Sequence, residues 1–141
     1  MRILALDYGQ KRVGMALTDQ LQMMAQPKGF LPYNKGVFAA LAKFVTENEV
    51  IEIVLGYPKS LNGTIGAMAK EVEVFEQELK KFVTVPIILW DERFTTSQAE
   101  NFLIHAEVRR DDRKGLRDSI SAALLLQSYL IYKQSSSTLL S

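Results

Sequence analysis

Apolar and polar positions along the chain follow two rhythms, period two in some stretches and a period near 3.6 in others, and these predict strands and helices. Residues 2–8 (RILALDY) read as a strand, residues 9–12 as a tight turn and residues 13–18 as a second strand, together a hairpin. Residues 25–31 read as a third strand at a sheet edge, where Pro27 and Pro32 are tolerable. Helical spacing takes over at residues 35–47, with Val37, Leu41 and Phe44 on one face. Residues 52–56 form a short buried strand. The clearest helix spans residues 64–82, where Met68, Val72, Phe75, Leu79 and Phe82 make one apolar stripe in alternating steps of four and three. Residues 85–90 are another buried strand. Thr95 opens a helix, with Gln98 completing a capping box, and residues 115–132 are a last, very apolar helix. This order predicts an α/β fold: a three-strand antiparallel meander followed by parallel strands in one mixed sheet, with helices on both faces. Sites in such sheets gather at the C-terminal ends of the parallel strands.

Composition narrows the class. At 141 residues the chain suits one domain with a core that needs no staples, here residues 1–133, with 134–141 (QSSSTLLS) as a flexible tail. There is no cysteine, which excludes disulfides and thiolate metal sites, and the single histidine, His105, argues against a histidine-rich zinc site. A hard-cation site built from carboxylates stays open. No apolar run reaches the ~18 residues of a membrane span, and the N-terminus lacks the pattern of a signal peptide, so the expected setting is cytoplasmic. With a net charge of +1, any nucleic-acid binding must come from a local patch.

Three acids border apolar structure. Asp7 ends the first strand on the face of Ile3 and Ala5. Asp91 and Glu92 follow the buried strand PIILW, and Asp118 opens the last helix, whose face continues through Ala122, Leu125 and Tyr129. Each has an ordinary structural use alone: Asp7 as a turn opener, the others as acids at helix N-termini. Together they suggest something else. Clustered carboxylates at the edge of a core repel one another and resist burial unless a cation joins them. Oxygen-only ligands suit Mg²⁺ or Mn²⁺, and two such ions ~3.5–4 Å apart can support in-line phosphoryl displacement. A metal-dependent nuclease is therefore expected, with Asp7 and Glu92 at neighbouring strand ends.

Basic residues surround these acids. Lys11 and Arg12 follow Asp7 through the hairpin turn, Arg93 adjoins Glu92, and Arg109, Arg110, Arg113, Lys114 and Arg117 lead into Asp118. Gly56 and Lys59 lie in GYPKSLNGT, after a strand. Such a distribution suits a polyanionic backbone, although a charged loop is often merely solvated. Tyr8, Trp90 and Phe94 could stack bases, but core packing is the simpler use.

The stretches LALDYGQKRVGMALTD, IVLGYPKSLNGTIG, WDERFTTSQAE and KGLRDSISAALLLQSYL, in this order over residues 2–132, resemble the YqgF-type family of bacterial proteins. Its members are described as Holliday junction resolvases and as nucleases that mature the 5′ end of pre-16S ribosomal RNA. The resemblance implies an RNase H-like fold, catalytic and metal-binding carboxylates at Asp7, Glu92 and Asp118, and Mg²⁺ or Mn²⁺, two ions, as cofactor. It implies pre-rRNA, ribosomal precursors or branched DNA as partner, and a monomer or homodimer. Lys11, Arg12, Lys59, Arg93, Arg109, Arg110, Arg113 and Lys114 would then hold the backbone, and Asp91 is an auxiliary ligand or a helix acid. The hairpin also resembles the phosphate-binding hairpin of actin-like ATPases, which need a second such domain that this length does not allow. A non-catalytic nucleic-acid-binding module is the remaining alternative.

Overall fold

A computed structural model describes residues 1–58, 66–92 and 113–140, with the backbone alone for 113–118 and 135–140. Five strands, β1 (Arg2–Tyr8), β2 (Arg12–Thr18), β3 (Ala25–Pro32), β4 (Val50–Tyr57) and β5 (Ile87–Asp91), form one sheet in the order β3-β2-β1-β4-β5. β1, β2 and β3 pair antiparallel, while β1 with β4 and β4 with β5 pair parallel. The helices are α1 (Val37–Glu47), α2 (Ala67–Lys80) and α3 (Arg113–Leu140). The meander, the crossovers and the mixed sheet expected from the pattern are all present. The helix expected from Thr95 lies outside the described residues, as do His105 and Phe94.

Alternation along β1 explains the two-sided core. Leu4 and Leu6 face α1 and α2, together with Val13, Leu41, Ile53, Leu55, Val72, Phe75 and Leu79. Ile3 and Ala5 face the other way, against Ala122, Leu125, Leu126, Tyr129 and Leu130 of α3. A central strand buried on both faces reads as a continuous apolar run, which is why ILAL precedes Asp7. Phe75 is fully buried, with the rings of Tyr8 and Phe38 both 5.3 Å away.

Some details depart from the sequence pattern. On α2, Ala69 and Glu76 join the buried face, whereas Met68 at one end and Phe82 beyond the other are exposed; Phe82 stacks on Phe38 instead. α3 begins at Arg113, earlier than expected, so Asp118 stands in its second turn rather than its first. Arg113 and Lys114 thus belong to the helix, not to a loop before it. The helix also runs to Leu140 through the stretch expected as a tail, for no glycine or proline interrupts residues 116–140.

One irregularity interrupts the pairing of β2 with β3. Across β2 and β3, Gly14 pairs with Phe30 but Ala16 pairs with Pro27, so Lys28 and Gly29 together oppose the single residue Met15. This is a β-bulge, and Gly29 supplies the positive φ of +79° that such a bulge needs.

Candidate active site

The acids meet at the C-terminal end of the parallel strands, on the α3 side. Asp7 continues the face of Ile3 and Ala5 and is half-buried. On β5, Ile88 and Trp90 face α3, and the same alternation carries Glu92, just past the strand end, to that side. The adjacent Asp91 falls on the opposite face and is 9 % exposed, which argues against its sharing a site with Asp7.

The strands that carry Asp7 and Glu92 are not neighbours, contrary to the expectation from sequence. β4 lies between β1 and β5. Leu6 pairs with Leu55 and Gly56 pairs with Trp90, so the next position beside Asp7 is Gly56. Adjacent strands are about 4.8 Å apart, which puts the two acidic chains roughly 10 Å apart at the backbone. Glu92 closes that distance by lying across Gly56. A Cβ at position 56 would stand 2.8 Å from Glu92 Oε1, 3.4 Å from its Cγ and 3.3 Å from Leu125 Cδ2. The Glu92 carboxyl reaches the Asp7 carboxyl in a side-chain hydrogen bond. Two carboxyl groups so placed share a proton or a cation, since two bare carboxylates would repel.

Glu92 is exposed as a residue, yet its carboxyl lies against Gly56 and Leu125 and is partly stripped of water. Desolvation therefore raises its pKa above the usual carboxylate value, the hydrogen bond with Asp7 lowers it, and the charge of Asp91 raises it further. Asp7 and Glu92 line a cavity of about 250 Å³ with Ser121, Leu124 and Leu125 of α3. Asp118 precedes Ser121 by three residues and Leu125 by seven, so it occupies the same helix face one turn nearer the N-terminus. Its side chain is outside the description. Among the described residues, no group of three acids or histidines converges, so Asp7 and Glu92 stand as a pair.

Hydrogen bonds and ring contacts brace the elements around this pair. Ser119, next to Asp118 and 1 % exposed, sits at the bulge: its Oγ accepts from Gly29 N–H at 2.8 Å and donates to the Met15 carbonyl at 2.9 Å. Trp90 donates its Nε1 proton to Ser128 Oγ at 2.8 Å and packs edge-on to Tyr129 at 5.2 Å, the core use of the indole. The hairpin turn is tied to α2 through Glu71, which accepts from Tyr8 Oη at 3.2 Å and from Gln10 Nε2 at 3.2 Å and 3.3 Å. Burial and this carboxylate push the Tyr8 hydroxyl up to about 12, so it remains a proton donor. Ser119 and Ser121 carried no signal in the sequence, since each looks like one more small residue on an apolar helix.

The basic residues are partly accounted for. Lys11 is exposed at the hairpin turn, and Arg12 stacks its guanidinium over Phe30, 5.1 Å from the ring centre. Arg113 and Lys114 begin α3. Lys59, Arg93, Arg109 and Arg110 lie outside the described residues. Among the described residues, no helix is long and apolar enough to cross a membrane.

A family model described as RuvX, Holliday junction resolvase, matches residues 1–132. The chain belongs to this family. It is the YqgF-type family that the motifs resemble, and it is a family of nucleases. A protein of Halothermothrix orenii named "Putative pre-16S rRNA nuclease" is 39% identical, over 94% of this chain and 96% of its own. A Bacillus subtilis protein of the same name is also 39% identical, over 92% and 97%. Among solved structures, RuvC of T. thermophilus in complex with a Holliday junction superposes with a TM-score of 0.58 at 12% identity, covering 94% of this chain and 96% of that one. The fowlpox virus Holliday junction resolvase gives 0.56 at 15% identity, over 94% and 99%. At these identities the likeness establishes the fold: the sheet is RNase H-like.

Proposed function

We propose that this family member is a cytoplasmic, divalent-metal-dependent endonuclease that matures the 5′ end of pre-16S ribosomal RNA. The observation that carries the reading is the meeting of Asp7 and Glu92 across Gly56, at a cavity walled by the helix that bears Asp118. The donor set fits a hard cation: carboxylate oxygens only, drawn together where their mutual repulsion needs positive charge. Asp7, Glu92 and Asp118 are the residues that would hold Mg²⁺ or Mn²⁺. When bound, two ions supply an activated water and stabilise the departing oxygen of a phosphodiester.

The protein's own groups do the rest. β1, the central strand of the sheet, holds Asp7 near its C-terminal end. Leu124 and Leu125 wall one side of the cavity against bulk water. Lys11, Arg12, Arg113 and Lys114, with Lys59, Arg93, Arg109 and Arg110, supply the charge that a phosphate backbone requires. The names of the relatives at 39% identity favour ribosomal RNA as substrate. The family description favours a second reading, resolution of four-way DNA junctions, which needs two active sites and hence a dimer.

The test uses purified protein with Mn²⁺ or Mg²⁺, a pre-16S RNA fragment and a four-way DNA junction, beside Asp7→Asn. Cutting of the RNA that falls at least ~100-fold in Asp7→Asn supports the proposal. Symmetric cutting of the junction alone selects the second reading. Undiminished cutting by Asp7→Asn, or nucleic-acid binding with no cleavage under any condition, overturns the metal mechanism and leaves a binding module.

A further inference from the structure

β4 separates the two acids, yet their carboxyls meet. We propose that Gly56 is the positioning residue of the site: its missing side chain leaves the notch through which Glu92 reaches Asp7, and so sets the spacing of the acid pair. This inference rests on the nuclease reading above. Gly56 is buried, and it lies on the α3 face of β4 between Asp7 and Trp90. Its backbone has no positive φ, so a turn or an unusual conformation does not explain the glycine. What explains it is occupancy. The space of a Cβ is already taken, on one side by Glu92 Oε1 at 2.8 Å and on the other by Leu125 Cδ2 at 3.3 Å.

The two contacts respond differently to a methyl group. Leu125 needs to give by only a few tenths of an ångström. Glu92 Oε1 is the far end of a flexible side chain, so it swings away at little cost in stability, but it then leaves Asp7. Gly56→Ala should therefore fold normally while losing the geometry of the pair. Displacing a group that orients metal ligands typically lowers metal affinity or activity about 10–100-fold.

The experiment compares wild type, Gly56→Ala, Glu92→Gln and Gly56→Ala/Glu92→Gln by calorimetric titration with Mn²⁺ alone and by cleavage kinetics on the RNA fragment. Gly66→Ala is the matched control, for a Cβ there meets nothing within 4 Å. Expected are a Mn²⁺ affinity about 10-fold or more weaker in Gly56→Ala, a fall in kcat with KM for RNA unchanged, and no further loss when Gly56→Ala is added to Glu92→Gln. Full Mn²⁺ affinity and kcat in Gly56→Ala, with both lost in Glu92→Gln, overturn the inference and leave the nuclease reading standing. Losses that multiply in the double variant also overturn it, since Gly56 would then act on something other than Glu92. Wild-type Mn²⁺ binding and cleavage in Glu92→Gln sink the nuclease reading and the inference with it. If Gly56→Ala does not fold, Gly56→Ala/Leu125→Ala removes the second contact and puts the same question to Glu92 alone.

Discussion

Removing one hydroxyl, Ser119→Ala, should loosen the joint between α3 and the sheet. The Ser119 side chain is buried in the β2–β3 bulge, where Lys28 and Gly29 oppose Met15 and the ladder opens. Its Oγ satisfies the Gly29 N–H at 2.8 Å and the Met15 carbonyl at 2.9 Å. Alanine leaves both backbone groups without that partner. An unsatisfied buried polar group costs about 1–3 kcal/mol. The Gly29 side of the joint is half-buried and within reach of water, so it belongs at the low end, and the sum is about 2–4 kcal/mol. Urea unfolding followed by tryptophan fluorescence measures this directly, because Trp90 is the only tryptophan and packs on Tyr129 and Ser128 of α3. The unfolding free energy should fall by that amount with the slope against urea unchanged. A loss below about 0.5 kcal/mol would refute the reasoning, because the bulge would then satisfy its backbone groups without the serine.

Two further outcomes follow from the same geometry. Gly29→Ala should cost about 1 kcal/mol in the same assay, since φ is +79° and a Cβ meets nothing within 4 Å, leaving backbone strain as the whole effect; an unchanged midpoint would contradict this. Glu92→Gln should raise thermal stability near neutral pH. The folded protein holds the Glu92 proton more tightly than the unfolded chain does, so wild-type stability declines as pH climbs from about 4.3 through the raised folded pKa. The variant escapes that decline, and its advantage should vanish at about pH 3, where both forms are protonated. Melting temperatures across that range check the sign, and an advantage independent of pH would point to a different cause.

Much of this protein was legible before any tertiary contact was known. Period-two alternation is a local property, so RILALDY already placed Asp7 with Ile3 and Ala5, while PIILWDE placed Glu92 at a C-terminal strand end and left its face to the structure. The helical stripe through Val72, Phe75 and Leu79, and the face of Ala122, Leu125 and Tyr129, were equally plain and are buried as expected. The four motif stretches carried the family. Strand order was not legible, because pairing depends on residues far apart in sequence. Nothing in IVLGY alone says that β4 inserts between β1 and β5, so the sequence offers Gly56 only as part of GYPKSLNGT beside Lys59, with no link to the acids. The bulge at Gly29, the insertion of Ser119 into it and the place of Asp118 in the second turn of α3 are likewise decisions of packing. The sequence alone determined which elements carry an acid near their ends; only the tertiary structure decided which acids meet, because register and neighbour are settled by long-range contacts that a local pattern does not encode.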